Sequence, residues 1–288
     1  MEHSVLVGTQ NYRESIYNSL QELREREALP FQIEQIQQGK HWLIHCHFET
    51  SPLAEEDAGT VQKVHRYYLA NVLAETILWQ WEEKHVRKIL LNKYRFKRSE
   101  CNLILGKALD YLNNGSGRAS RAHRKTQLVT QILINLESAA LFDVEGFLQF
   151  RAINYKRELD DIISYVVDEY VLQREYIEFI ELLKHFVDRQ ASRLYTLHVI
   201  INCQGNFQLY NDLGEKVTNQ YLDDHTLDSG NGEFTYEDLL ISALIAVAPH
   251  QLVLHIRYEG YQDTLQTIRQ VFQERVSYCQ GCEICDRL

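Results

Sequence analysis

The chain has 288 residues, 45% of them hydrophobic and 24% charged, and a formal net charge of -10. That size can bury a substantial core in one large domain or two to three packed lobes, and the negative balance excludes a protein that coats nucleic acid over its whole surface. Met1-Glu2-His3 lacks the basic and apolar regions of an export signal, and Leu239 to Ile256, a long stretch free of Asp, Glu, Lys and Arg, is interrupted by Pro249, so a cytoplasmic protein with no membrane span is expected.

Ser4-Val5-Leu6-Val7 reads as a short strand, followed by a helix that Asn11 can cap and whose Ile16, Leu20 and Leu23 follow helical spacing up to Pro30. Phe31 to Ile36 and His41 to Phe48 then read as two paired strands around a turn at Gln38-Gly39. Alternation in the second puts Trp42, Ile44, Cys46 and Phe48 on one face and His41, Leu43, His45 and His47 on the other.

From Asp57 to about Gln190 the pattern is helical throughout. Val61, Val64, Tyr68, Val72, Ile77 and Leu78 line one helix that continues through a basic stretch to Arg98; Cys101 to Leu112 forms the next, ended by Asn113-Asn114-Gly115-Ser116-Gly117. Further helices are expected over Arg118 to Leu136, Val144 to Tyr170 and Leu172 to Phe186.

Strand signals return at Tyr195 to Cys203, which turns at Gln204-Gly205-Asn206 into a hairpin with Phe207 to Tyr210. Thr235 with Asp238 reads as a capping box for a helix from Tyr236 to Val247, Gln251 to Ile256 is a strand, and Asp263 to Phe272 is a helix leading into the tail. The expected fold is α+β: an N-terminal α/β segment over 1–52, a mostly helical middle over 53–192 and a C-terminal ββαβα segment over 193–288, with small mixed or antiparallel sheets built from the terminal segments. Whether those strands make one sheet or two is open at this level.

Certain runs resemble a known family. Val167-Asp168-Glu169-Tyr170, then Glu175-Tyr176-Ile177-Glu178-Phe179-Ile180, and Glu237-Asp238-Leu239-Leu240-Ile241-Ser242-Ala243-Leu244-Ile245 with Ala248-Pro249 are similar to the YtxC-like family. The resemblance covers most of the chain and is strongest from Cys101 onward. It implies a role in sporulation in endospore-forming bacteria, and it implies no biochemical activity and no catalytic residues.

The one cluster with a chemical spacing is Cys279, Cys282 and Cys285, three of the six cysteines in the last ten positions. A C-x2-C turn lets two thiolates face one ion, and a third nearly completes a tetrahedral site, so zinc or an iron–sulfur cluster is the expected cofactor. A fourth ligand must come from elsewhere, with Cys203 and His255 the candidates. A reduced tail without metal is the plainer alternative. Cys46, Cys101 and Cys203 read as small packed hydrophobes, and His41, His45 and His47 as a solvated or partly packed set, although a metal patch is chemically open to them.

Twelve Lys or Arg lie between Lys84 and Leu136, against Glu100 and Asp110 alone. Arg118, Arg121, Arg124 and Lys125 recur at helical spacing, and with neighbouring aromatics such a stripe could meet the phosphates and bases of nucleic acid. Pairing with acidic helices, among them Asp160, Asp161, Asp168, Glu169, Glu175, Glu178 and Glu181, is favoured over that. No phosphate-binding, dinucleotide, nucleophile-elbow or H-E-x-x-H motif is present. The leading expectation is therefore a non-catalytic accessory or regulatory protein that binds a protein partner in sporulation, with nucleic-acid binding or a metal-dependent or redox enzyme as alternatives.

Overall fold

The computed structural model describes residues 3–27, 29, 31–48, 58–139, 141–201, 207–217, 236–256, 261–282 and 285. The fold is α+β, and the chain forms two compact units, Met1–Tyr170 and Val171–Leu288. Among the described residues each unit holds one four-stranded mixed sheet. No helix among them is long and apolar enough to cross a membrane.

The first unit opens with β1 (His3–Thr9) and α1 (Arg13–Arg26), followed by β2 (Phe31–Gln38) and β3 (His41–Phe48). Gly39 sits at φ +62° in the β2–β3 turn, a conformation glycine adopts without a Cβ clash. The core of this sheet takes in α1, the helical residues from Leu69 to Leu78 and from Leu128 to Leu136, and the segment from Phe142 to Tyr155. Val5, Val7, Ile44, Cys46 and Phe48 alternate onto the buried face and meet Ile16 and Leu20 of α1, as a period of two requires. Burial pushes the Cys46 thiol up to about 12, so this cysteine is a packed side chain and not a reactive one.

The chain continues through α2 (Ala58–Thr76), a π-helical turn at Ile77–Trp81, α3 (Glu82–Asn92), α4 (Arg98–Asn114) and α5 (Arg121–Ser138); of these, α2, the π-helical turn and α5 pack in one core with the sheet. The helix expected to run on to Arg98 is divided, with Arg95 at φ +58° between α3 and α4; one left-handed residue is enough to end a helix. The start expected at Arg118 moves to Arg121, because Ser120 is the residue whose Oγ accepts the His123 N–H, at 3.2 Å.

The strand β4 (Leu141–Asp143) interrupts the stretch expected to be wholly helical and adds parallel to β1, giving the order β2-β3-β1-β4. Three residues are too few to show a period, and the partner is remote in sequence. A helical turn, α6 (Val144–Gly146), and a second π-helical turn at Phe147–Arg151 lead into α7 (Ile153–Arg189). The two helices expected to meet near Tyr170 are thus one continuous helix, since Ile153–Arg189 contains no Gly or Pro to break it. Residues of α7 through Tyr170 belong to the first unit and the rest to the second.

Asn11 does not cap α1. Its backbone N–H and its side-chain amide donate to Glu145 Oε1 at 3.0 and 3.2 Å, alongside the Thr9 hydroxyl and the Gln10 N–H, each at 3.0 Å. Four donors on one carboxylate oxygen tie the end of β1 to the segment after β4. Glu145→Ala should therefore lower stability by about 1–2 kcal/mol, since water can reach the exposed donors, and Glu145→Gln, which keeps an acceptor, by less. Urea unfolding midpoints of the two variants measure the difference.

The second unit contains β5 (Thr196–Ile201), β6 (Phe207–Asn211), α8 (Tyr236–Val247), β7 (Gln251–Ile256), α9 (Gln262–Phe272) and β8 (Val276–Tyr278). The sheet order is β6-β5-β7-β8, with β7 parallel to both neighbours. Leu240, Ala243, Leu244 and Val247 of α8, Leu265, Ile268 and Phe272 of α9, and Ile180, Leu183 and Val187 of α7 recur at helical spacing and pack with Leu197, Val199, Leu252 and Leu254. Those four strand residues share a sheet face, so that face carries the core. The strand β8, like β4, is three residues long and escaped the sequence pattern. Thr235 and Cys203 lie outside the described residues.

Candidate metal centre

Parallel strands end at the same edge, and this decides where the tail goes. β7, α9 and β8 form a βαβ unit, which brings the chain leaving β8 to the end of the sheet where β7 also finishes. His255 is the penultimate residue of β7. It points away from the face that carries Leu252 and Leu254, because alternate strand residues face opposite ways. In the β7–β8 register Leu254 pairs with Tyr278, and the Cys279 N–H extends the ladder to the Leu254 carbonyl at 3.0 Å. One further step in register sets Cys279 beside His255, on the same face.

The chain then turns back at Gly281, whose φ of +127° favours a residue without Cβ. Its N–H donates to Cys279 Sγ at 3.4 Å, the kind of amide support a thiolate needs. Beyond this turn Cys282 and Cys285 close on the same point: Cys285 Sγ is 3.7 Å from Cys279 Sγ, 3.9 Å from Cys282 Sγ and 3.1 Å from His255 Nδ1. Cys282 Sγ lies 3.7 Å from His255 Nδ1, and the four donor atoms all fall within 4.8 Å of one another.

These separations fit one ion. With zinc–sulfur bonds of about 2.3 Å, tetrahedral angles place two sulfurs about 3.8 Å apart, whereas a disulfide needs about 2.0 Å. In an iron–sulfur cluster the cysteines are shared among several irons and stand around a polynuclear core; here they converge on a single centre. Three sulfurs and one imidazole are a donor set that suits zinc. His255 and Cys285 are buried and the other two half-buried.

The outer hydrogen bond of the imidazole is also in place. His255 Nε2 is 3.0 Å from Nδ1 of His198 on β5. With an ion held by Nδ1 of His255, Nε2 would carry the proton and donate to His198, which would fix both the tautomer and the ring plane. Burial lowers the pKa of both imidazoles, with the nearby His198 adding to the effect at His255 and Asp212 opposing it at His198. Neutral rings are what ligation requires. Burial and hydrogen bonding with the other thiols raise the pKa of Cys285, so three uncompensated thiolates would not coexist here without a cation. Sequence spacing marked the three cysteines and named His255 among the candidates for the fourth position; the partner role of His198 carried no signal, because it depends on β5 pairing with β7.

The basic residues Arg118, Arg121, Arg124 and Lys125 do not form one exposed stripe. Arg124 is buried and donates through Nε and Nη2 to the two oxygens of Glu82 at 3.2 Å each, and through Nη1 to the carbonyls of Leu112 and Ala119 at 3.1 Å. Arg121 pairs with Glu75 and lies over the Trp79 ring, 4.3 Å from its centroid, and Lys125 reaches Glu75 at 2.9 Å. Arg118 stands beside Tyr111, Glu158 and Asp161. The charges of Arg121, Arg124 and Lys125 are met within the chain by Glu75 and Glu82 and not by the acidic residues of α7. Those residues make local pairs, Glu178 with Arg174 and Glu181 with Lys184, apart from Asp160, which meets His85 at 2.9 Å.

Residues 67–277 match the model of the YtxC-like family. The chain is 26% identical over 221 residues to a Bacillus subtilis (strain 168) protein described as "Uncharacterized protein YtxC", an alignment that spans 73% of this chain and 75% of that protein. No solved structure matches. The matched span includes His198 and His255 and stops before Cys279.

Proposed function

We propose that this chain, which belongs to the YtxC-like family, is a non-catalytic accessory protein of sporulation that acts by binding a protein partner, with a structural zinc ion fastening its C-terminal segment to the second sheet. The observation that carries this reading is the convergence of His255, Cys279, Cys282 and Cys285 within 4.8 Å. Four protein donors complete a tetrahedron, and a complete tetrahedron leaves no position for a substrate or an activated water. Zinc bound there would supply a cross-link between β7 and the tail and no reaction. The placement in sporulation rests on the family alone.

A metal-dependent enzyme would need an open coordination position. A nucleic-acid module would need the basic residues free, whereas Arg124 is spent on Glu82. Among the described residues the acidic face of α7 is a remaining place for acid–base chemistry, and Asp168 and Glu178 there are both exposed. A solvated carboxylate at a binding surface is rarely indispensable, while a general acid or base usually is. Asp168→Asn and Glu178→Gln, each introduced into a strain lacking the gene, should restore spore yield to within about twofold of the wild-type gene. Complete loss of sporulation with either conservative change, in protein that stays folded and abundant, would move the function to an enzyme centred on α7.

A further inference from the structure

The outer face of the first sheet carries a second set of donors that the sequence leaves scattered. In the β2–β3 register Glu34 pairs with His45 and Gln32 with His47. Register partners share a face, so Glu34, His45 and His47 all stand on the side opposite Ile44, Cys46 and Phe48. The imidazole centroids of His45 and His47 are 3.6 Å apart, and His47 Nε2 lies 3.8 Å from Glu34 Oε2, longer than a hydrogen bond. One donor atom from each of the three falls within 4.8 Å of the other two. His41, the third histidine of the strand, is engaged elsewhere, 2.6 Å from the Gln10 side chain and 3.9 Å from Asp143.

We propose that Glu34, His45 and His47 form a surface site for a divalent first-row transition ion, with Zn2+ or Ni2+ the chemistry it suits. Two imidazoles and a carboxylate are the donors such ions take. β3 is hydrogen-bonded on both sides, to β1 and to β2, so the three Cα positions are set by the ladder and side-chain torsions alone must adjust to draw the donors to bonding distance. The geometry differs from the tail in one consequential respect. All three donors approach from the sheet, which leaves the solvent side of the ion open to water or to a donor from another molecule. The proposal stands independently of the cysteine site.

Calorimetric titration of the full-length protein with Ni2+ tests it, using the wild type, His45→Gln, His47→Gln, Glu34→Gln and Cys282→Ser. The wild type and Cys282→Ser should both take up a Ni2+ ion that His45→Gln and His47→Gln lose and that Glu34→Gln binds at least tenfold more weakly. Unchanged uptake in both histidine variants, or no uptake by the wild type, overturns the proposal. Because a substitution could disturb the sheet, modification of the wild type by diethylpyrocarbonate gives a second reading without any mutation. Ni2+ should protect His45 and His47 severalfold, read by mass spectrometry, and equal modification with and without the ion overturns the site.

Discussion

Protein purified under reducing conditions without chelator should contain one zinc per chain, and Cys282→Ser should remove it and destabilise the C-terminal unit by several kcal/mol. The size follows from linkage: a site holding an ion at a thousand times its Kd adds about 4 kcal/mol to the folded state, and structural zinc sites reach this range because the donors are not preformed in the unfolded chain. The ligand removed is one of four whose donor atoms lie within 4.8 Å of one another, so three donors remain and cannot close the tetrahedron. A chelator added to the wild type should reproduce the lower melting temperature and should have no further effect on Cys282→Ser. In the same experiment His198→Phe, which strips the outer hydrogen bond from His255, should keep the four ligands and bind zinc tenfold to a hundredfold more weakly. Metal-free wild-type protein, with a melting temperature that Cys282→Ser leaves unchanged, would sink the zinc reading.

The outcome at this centre shows what a linear pattern can carry. Cys279, Cys282 and Cys285 are adjacent in sequence, so their spacing alone proposes a metal. His255 could be named because it lies on the strand before the last helix, and a short βαβ connection must return the chain near that strand. His198 could not be named, since nothing in the chain order says that β5 pairs with β7. The same limit hid Glu34: His45 and His47 were legible as one face of a strand, but their carboxylate sits on β2, and the Glu34–His45 pairing appears only with the hairpin register.

The helical elements divide in a similar way. Tyr236–Val247 and Gln251–Ile256 have the bounds the pattern suggests, because a strong apolar period and Pro249 punctuate them. β4 and β8 were illegible, each with three residues that become strands only against a partner. The partners of the basic segment stayed out of reach for a different reason. Helical spacing of Arg118, Arg121 and Arg124 describes a face, and it does not say whether that face meets water or protein. Arg124 turns inward because Glu82, placed directly after the π-helical turn of Ile77–Trp81, is buried opposite it. A π-helical turn shifts the phase of the residues downstream of it relative to an uninterrupted α-helix, so a period of 3.6 carried through from α2 assigns α3 the wrong face.

That buried pair is where a single substitution should cost the first unit most. Arg124 and Glu82 are each 2% exposed, and the Tyr155 hydroxyl, also buried, donates to Glu82 Oε1. Burial raises the pKa of Glu82, with Arg124 and the Tyr155 hydrogen bond opposing that rise. Arg124→Met removes the larger of those opposing influences and also leaves the carbonyls of Leu112 and Ala119 without their donor. Breaking a buried ion pair in this way costs about 3–5 kcal/mol. The sign of its pH dependence follows from the direction of the shift. A carboxyl whose folded pKa is raised binds its proton more tightly in the folded state, so its share of stability is fully present below the ordinary value of 4.5 and is lost as pH rises through the folded pKa. With Arg124 gone that folded pKa moves higher still, so the penalty of Arg124→Met should be largest at neutral pH and shrink on acidification. Adding Glu82→Leu removes the stranded carboxylate: the double variant should recover a few kcal/mol at pH 7 and lose the extra pH dependence, coupling of the size expected for contacting residues. Trp42, Trp79 and Trp81 are the only tryptophans of the chain and all belong to the first unit, so the urea transition of tryptophan emission reads this unit directly. Equal midpoints for Arg124→Met and the wild type at pH 7 would show that the pair contributes nothing and that Arg124 is free to serve another partner.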